Sequence, residues 1–543
     1  MYPPKMNPVA IVQANRWRRR LAAVLLLSTG VVRAGELDGG SFKPVIDELK
    51  GQTFFAFDNV SIPFTRSLEL VMRQPEKYSG NPVVGRGQPG TADSWAIHFY
   101  GSVLRENGKF RVWYAAAGDE RGQKAAPDAS LFHVCYAEST DGVHWNRPKL
   151  GLVEYRGNKD NNIVELSPFM GPINVKVLHE PEDPDPSRRY KMASWYDKYL
   201  LLYESGDGIH WREIGRSGAA GDRTTFFYNP FRKVWVFSIR DMTPGNARFR
   251  RYVESADFER GAAWSKDGPV EWVAADTDDP RRPEYNVPAE IYNLDCVAYE
   301  SVLLGLFTIF RGERTEREKP NDVCVGFSRD GFHWDRPDRR PFLPVSERVG
   351  DWNWANVQSA GGGCLVVGDR LHFYCSGRRG VPGSNDPGIC STGLATLRRD
   401  GFASMGSPAS PSGVTRLEPS PAADTLITRP VTFSGKYLFV NLEAPDGALR
   451  VEVLDRGGKV IPAYAAAHAI PVRGDSTRAR VTWTTTPDLA AVAGQPVRFR
   501  FTLTHGRLYS FWVSASTVGA SQGYVAAGGP GFTGPADTMG DRR

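Results

Sequence analysis

Paired cysteines are what this 543-residue sequence most plainly lacks. Its six cysteines, Cys135, Cys296, Cys324, Cys364, Cys375 and Cys390, include no C-x-x-C pair, which excludes zinc-ribbon and thioredoxin-type sites. Most sit in apolar strand-like runs such as His133-Val134-Cys135-Tyr136, the setting of buried free thiols, and Cys375 with Cys390 is the candidate disulfide. No H-E-x-x-H string and no P-loop occurs, so metalloprotease and nucleotide-binding readings lack their mechanical parts. No calcium ligand set is visible, and no metal or cofactor is expected. Basic clusters with interleaved aromatics are missing as well, which removes nucleic acid as a partner. The apolar run from Leu21 to Val32 is broken by Ser28, Thr29 and Gly30, and falls short of the roughly 20 residues a bilayer span needs.

That short run has another use. Arg16, Arg18, Arg19 and Arg20 precede it and Val32-Arg33-Ala34 closes it, the layout of a secretory leader over residues 1–34 with cleavage after Ala34. The chain is therefore expected in the periplasm or the medium, with no membrane span once the leader is gone. The formal charge of +6 falls with it, because the leader holds Lys5, Arg16, Arg18, Arg19, Arg20 and Arg33 and no acid.

What is present is a repeat. Ser139-Thr140-Asp141-Gly142-Val143-His144-Trp145 returns as Ser205-Gly206-Asp207-Gly208-Ile209-His210-Trp211 and as Ser328-Arg329-Asp330-Gly331-Phe332-His333-Trp334. Degenerate copies stand at Ser255-Ala256-Asp257 with Trp264 and at Arg399-Asp400-Gly401-Phe402. Asp-Gly supplies the positive φ of a tight turn, Ser bonds the turn backbone, and the Trp packs between sheets, so the phrase is a structural hairpin. It resembles the Asp-box of sialidase propellers. Five copies some 50 to 73 residues apart suit five four-stranded blades.

Upstream of each copy an alternating run predicts the second strand of a blade, near Phe110, Tyr190, Lys233, Leu303 and Leu371. The inner strands then begin near Asp93 to His98, Pro172 to Val175, Gly221 to Thr225, Ala289 to Asn293 and Trp354 to Gln358. After a Pro- and Ser-rich linker, alternating strands at turn-separated spacing read as a β-sandwich. The fold expected is all-β: a five-bladed β-propeller over 35–407, a linker over 408–424, a β-sandwich over 425–518 and a Gly-rich tail over 519–543 without order.

In a propeller the informative polar groups lie where the inner strands open onto the central channel. Asp222 and Glu290 stand at matching starts in blades three and four, and two such acids suit glycoside cleavage, which needs a proton donor and a second carboxylate roughly 5–10 Å apart. Mutual repulsion in a partly dry pocket would keep Glu290 as the protonated acid. Tyr292, with Tyr285 nearby, suits stacking on a sugar face. Arg223 and Asn356 share the strand starts. Arg240 and Arg311 close second strands and either pair with Asp222 and Glu290 or clamp a carboxylated sugar.

These two acids carry a family likeness. Blades three and four resemble those of glycoside hydrolase families 32 and 43, in which an Asp opens blade three and a Glu opens blade four as general acid. The appended sandwich resembles the family 32 layout. The resemblance implies an oligo- or polysaccharide substrate, with Glu290 as acid and Asp222 as supporting carboxylate. It departs at blade one, where the family 32 nucleophile motif is replaced and His98 stands at the Asp position, read here as a strand histidine or a sugar contact. Asp93, Asp58 and Asp295 are the substitutes within reach of the sequence. The reading is an exported glycosidase, with non-catalytic glycan binding or a structural interaction propeller as alternatives.

Overall fold

The computed structural model describes residues 47–48, 53–99, 101–119, 132–167, 173–285, 287–312, 317–384, 386, 388–406 and 424–538. The expected leader, 1–34, and the expected linker as far as residue 423 lie outside them. Five sheets form the blades of a five-bladed propeller. Blade one holds Ala96–His98 and Val103–Glu106 along one side of Lys109–Ala117, with His133–Ser139 along the other. Blade two is Ile173–His179, Tyr190–Tyr196, Tyr199–Ser205 and His210–Arg216. Blade three is Thr225–Asn229, Val234–Met242, Arg248–Ser255 and Val270–Val273.

Blade four is Glu290–Glu300, Val302–Phe310 and Asp322–Ser328, extended by single bridges at Leu343 and Asp335. Blade five is Asn356–Val357 with Leu365–Val367, then Arg370–Arg378 and Cys390–Arg398. Its outer strand, Glu76–Lys77, comes from the N-terminal part of the chain and closes the ring. Among the described residues no helix is long and apolar enough to cross a membrane.

The repeated phrase folds as its residues dictate. In each full copy the Asp carboxylate accepts from the backbone N–H groups two and three residues on, and the Ser hydroxyl accepts from the Gly N–H. Gly142, Gly208 and Gly331 sit at φ +78, +76 and +83, where a side chain is strained. The turns also clasp neighbouring blades. Trp113 Nε1 of blade one donates to Gly208 O at 2.7 Å, Tyr374 OH of blade five to Gly142 O at 2.7 Å, and Asn229 Nδ2 of blade three to Asp330 O at 2.8 Å. Tyr299 OH of blade four donates instead to the side-chain carboxylate of Asp400 in the last, degenerate copy. The copy at Asp257 instead caps a short helix, Phe258–Ala262.

All six thiols are free and buried. Cys375 lies opposite Gly393 and Cys390 opposite Arg378, so register separates the candidate disulfide pair.

The residues expected to form the sandwich build an eleven-stranded sheet centred on Tyr437–Asp455, Val497–Thr504 and Arg507–Ser514. It is not made of 425–518 alone. Thr53–Phe55, Phe64–Arg66, Glu69–Met72 and Ala403–Gly406 join it, so chain from both sides of the propeller completes this sheet.

The tail is ordered as far as residue 538, contrary to expectation. Tyr524–Val525 pairs with Tyr299–Glu300 at the end of the blade-four inner strand. Ala527 N donates to Cys364 O of blade five at 3.0 Å, Val366 N to Gly528 O at 2.9 Å, and Arg105 N of blade one to Ala527 O at 3.1 Å. Low apolar content misled because the glycines here serve close approach. A Cβ on Gly529 would stand 1.8 Å from Val366 O, and one on Gly523 would stand 2.1 Å from a Glu300 carboxylate oxygen. The tail thereby caps the channel end opposite the inner-strand starts, beside a cavity of about 380 Å³.

Under this cap Arg399 pairs with Asp537 at 2.6 Å and with Glu300 at 3.1 Å, all three side chains buried. Burial raises the Glu300 carboxyl from its ordinary 4.5 to about 7, with Asp400 adding to the shift and Arg399 opposing it. Between those values the folded protein holds a proton that the unfolded chain has released. Stability from this residue is therefore full below about pH 4.5 and is lost as pH rises through 7. Urea denaturation is expected to give a loss on the order of 2 kcal/mol between about pH 5 and 7.5, and Glu300→Gln should flatten that slope. A variant with the same slope would place the proton elsewhere.

Candidate functional site

The inner strands of blades three, four and five start at one end of the propeller, its mouth, where Tyr292 lies near groups of all three blades. Glu290 is the first residue of its strand, and its Oε2 accepts from Arg248 N at 2.9 Å and Arg248 Nη1 at 2.8 Å. The Arg248 guanidinium also lies over the rings of Tyr292 and Phe310, at 5.4 and 4.5 Å. Asp222 sits in the loop before Thr225, bonded to Arg240 at 3.1 Å and 4.0 Å from Arg223. Its side chain is 37% exposed against 13% for Glu290. Arg223 adopts φ +67, uncommon outside glycine, and its guanidinium lies 5.8 Å from the Tyr292 ring. That ring thus joins the blade-three and blade-four openings.

Blade five completes the mouth. Asn356 pairs in register with Arg378, whose guanidinium bonds Glu318 at 2.6 Å and Gln358 at 3.3 Å. Burial pushes the Tyr292 phenol up, but the positive field of Arg223, Lys319 and Arg378 outweighs it, and the net shift is downward. Deeper in the channel Asp295, 1% exposed, accepts from Asn293 at 2.8 Å and Ser359 at 2.7 Å and lies 3.5 Å from Lys176 of blade two. Several buried amide atoms here have no hydrogen-bond partner among the described residues: both polar atoms of Asn174 and of Asn356, Gln358 Nε2 and Asn293 Oδ1. Buried groups of this kind are costly unless water or a ligand meets them.

Four of the residues singled out from sequence lie elsewhere or are bonded otherwise. Asp93 is fully buried inside blade one, where it accepts from Tyr114 at 2.9 Å and Arg147 at 2.6 Å, so it is a packed ion pair rather than a channel acid. Asp58 pairs with Arg329 in a groove beside the blade-four turn, at the other side of the blade from the mouth. Arg311 meets Asp322 on the next strand of its own blade and Pro280 O, leaving Arg248 as the partner of Glu290. His98 stands in the blade-one strand opposite Ala115, with Phe132 5.1 Å away. Sequence reasoning missed Arg248, Arg250, Lys176 and Arg378, since nothing in a linear pattern pairs an arginine with an acid on another blade. It also missed a G-x-S-x-G string at Gly519 to Gly523. Ser521 belongs to the tail, where its hydroxyl faces Asp537 at 3.5 Å with no histidine bonded to it, and no strand-to-helix elbow presents it.

Among the described residues no group of three or more His, Cys, Asp or Glu is placed to hold a metal ion. No family model matches the chain. Two uncharacterized proteins of Mycobacterium tuberculosis are 23% and 25% identical to it over 161 residues, 29% of this chain and 48% of each of them. The chain thus spans about half the length of the curated relatives it matches. Similar solved structures include an N-acetylgalactosamine deacetylase from F. plautii in complex with blood group B trisaccharide, at 16% identity and TM-score 0.39 over 62% of this chain and 97% of that one. A thermostable family-43 glycoside hydrolase gives 13% identity and TM-score 0.39 over 63% and 99%. The α-L-arabinofuranosidase of Podospora anserina in complex with cellotriose gives 12% and 0.38 over 60% and 98%. At such scores the five-bladed propeller rests on the blades of this chain themselves.

Proposed function

We propose that this propeller is carbohydrate-active and takes a glycan at the mouth formed by blades three, four and five. The observation that carries the reading is the set of buried amides at the inner strands of blades two, four and five, Asn174, Asn293, Asn356 and Gln358, each with at least one polar atom left without a hydrogen-bond partner among the described residues. Amide donors and acceptors match a hydroxyl-rich ligand, and a buried amide left unpaired costs about 1–3 kcal/mol that a bound hydroxyl recovers. Binding without cleavage is the form the geometry supports best, because Asp222, Glu290 and Asp295 are each held by a cation and neither Asp93 nor Asp58 opens on the mouth.

Hydrolysis is the second reading. It is favoured by Asp222 and Glu290 opening adjacent blades, the placement that the family 32 and 43 resemblance assigns to the supporting carboxylate and the acid. To deliver a proton, Glu290 would have to exchange the Arg248 contact for the leaving oxygen of the sugar.

The test is a panel of oligosaccharides, read by glycan array and calorimetry and then by release of reducing ends. At least one class is expected to bind, and Asn356→Ala to weaken it by about tenfold or more, the equivalent of one lost buried hydrogen bond. Release of reducing ends would put hydrolysis first. Failure of every class to bind would end the reading.

A further inference from the structure

Resting on that glycan reading, we infer that the glycan accepted at the mouth is anionic, carrying carboxylate or sulfate groups on its sugar rings. Ion pairs, hydrogen bonds, ring contacts and electrostatic coupling link seven cations, Arg223, Arg240, Arg248, Arg250, Arg378, Lys176 and Lys319, with four carboxylates, Asp222, Glu290, Glu318 and Asp295. The chain without its leader is close to neutral, so this imbalance is a local concentration of positive charge.

Its most telling member is Arg250. The side chain is fully buried, Nε donates to Ser238 Oγ at 2.9 Å, and Nη2 donates to Arg223 O at 2.7 Å and to Ser238 O. Nη1 has no partner. No ion pair joins this guanidinium to a carboxylate among the described residues, and burial pulls it toward the neutral form. The fields of Asp295 and Asp222 favour its charged form without an ion pair, and an arriving anion would add to them. Arg250 holds the backbone carbonyl of Arg223, the residue in left-handed backbone conformation whose guanidinium faces Tyr292. The unusual backbone and the buried charge therefore serve the same group. Guanidinium groups bind carboxylates and sulfates through paired charge-assisted bonds, stronger than those to neutral hydroxyls.

Calorimetry on the full-length protein with two matched pairs tests this: tetragalacturonate against neutral galactotetraose, and a sulfated chondroitin tetrasaccharide against its desulfated form. The anionic member of at least one pair is expected to bind about tenfold tighter or more at about 50 mM salt, and the advantage to shrink at about 300 mM as screening grows. The two pairs separate carboxylate from sulfate recognition. Arg223→Gln should narrow the ratio with the melting temperature little changed, and Arg378→Gln serves if the first variant does not fold. Equal binding within both pairs would overturn the anionic preference and leave the glycan reading standing. Binding of inorganic sulfate or phosphate as tight as that of the tetrasaccharide would also overturn it. Silence from all four sugars would remove both.

Discussion

A chain ended at Val518 is expected to lose on the order of 10 °C in melting temperature, or to be recovered mostly as aggregate. The deletion removes Asp537 from Arg399, and taking one partner from a buried ion pair typically costs about 3–5 kcal/mol. It also strips Tyr524 to Gly528 from blades four, five and one, leaving the Cys364 carbonyl and the Val366 N–H without their bonds. Asp537→Asn in the intact chain isolates the first contribution and should account for a large part of the loss. Scanning calorimetry of the three proteins decides it. A truncated chain that melts with the intact one would mean that the cap rests on the ring without supporting it.

For any glycan that the protein cleaves, Glu290→Gln is expected to slow turnover by about 10²–10⁴, the usual contribution of general acid catalysis. Gln keeps the shape of the side chain, and its amide oxygen can still accept from Arg248 N, so the fold should survive. If Glu290 serves only to hold Arg248, the loss stays within about tenfold, because Gln keeps the contact with Arg248 N and one hydrogen bond is worth roughly 1 kcal/mol. Single-turnover rates and melting temperatures measured on the same preparations distinguish the two. Cleavage at full rate by the variant would remove Glu290 from the chemistry and return the site to binding alone.

The turns were legible because everything that shapes them is local. Ser139, Asp141 and Gly142 bond within one hairpin, and the same letters recur wherever the same hairpin does. The inner-strand starts could be placed for a related reason, since each lies 12 to 18 residues before an alternating run. The partners of the acids could not. Glu290 meets Arg248 across the gap between two blades, whereas Arg311, which looked equivalent, is drawn by register to Asp322 on the adjoining strand. Asp93 failed for want of any signal that Arg147 and Tyr114 would enclose it. The tail was misread because glycine serves two opposite purposes, freedom in solution and contact too close for a side chain. Composition alone does not separate them; only the position of Gly529 against the Val366 carbonyl does.

The ring is sealed from both directions, by Glu76–Lys77 on the outer edge of blade five and by Tyr524–Val525 beneath blade four. During synthesis Glu76–Lys77 must wait for blade five to be made, and Tyr299–Glu300 must wait for Tyr524–Val525. The propeller is therefore not closed until residues well after its fifth blade have been made, and its closing contacts join residues far apart in sequence, which makes for slow folding.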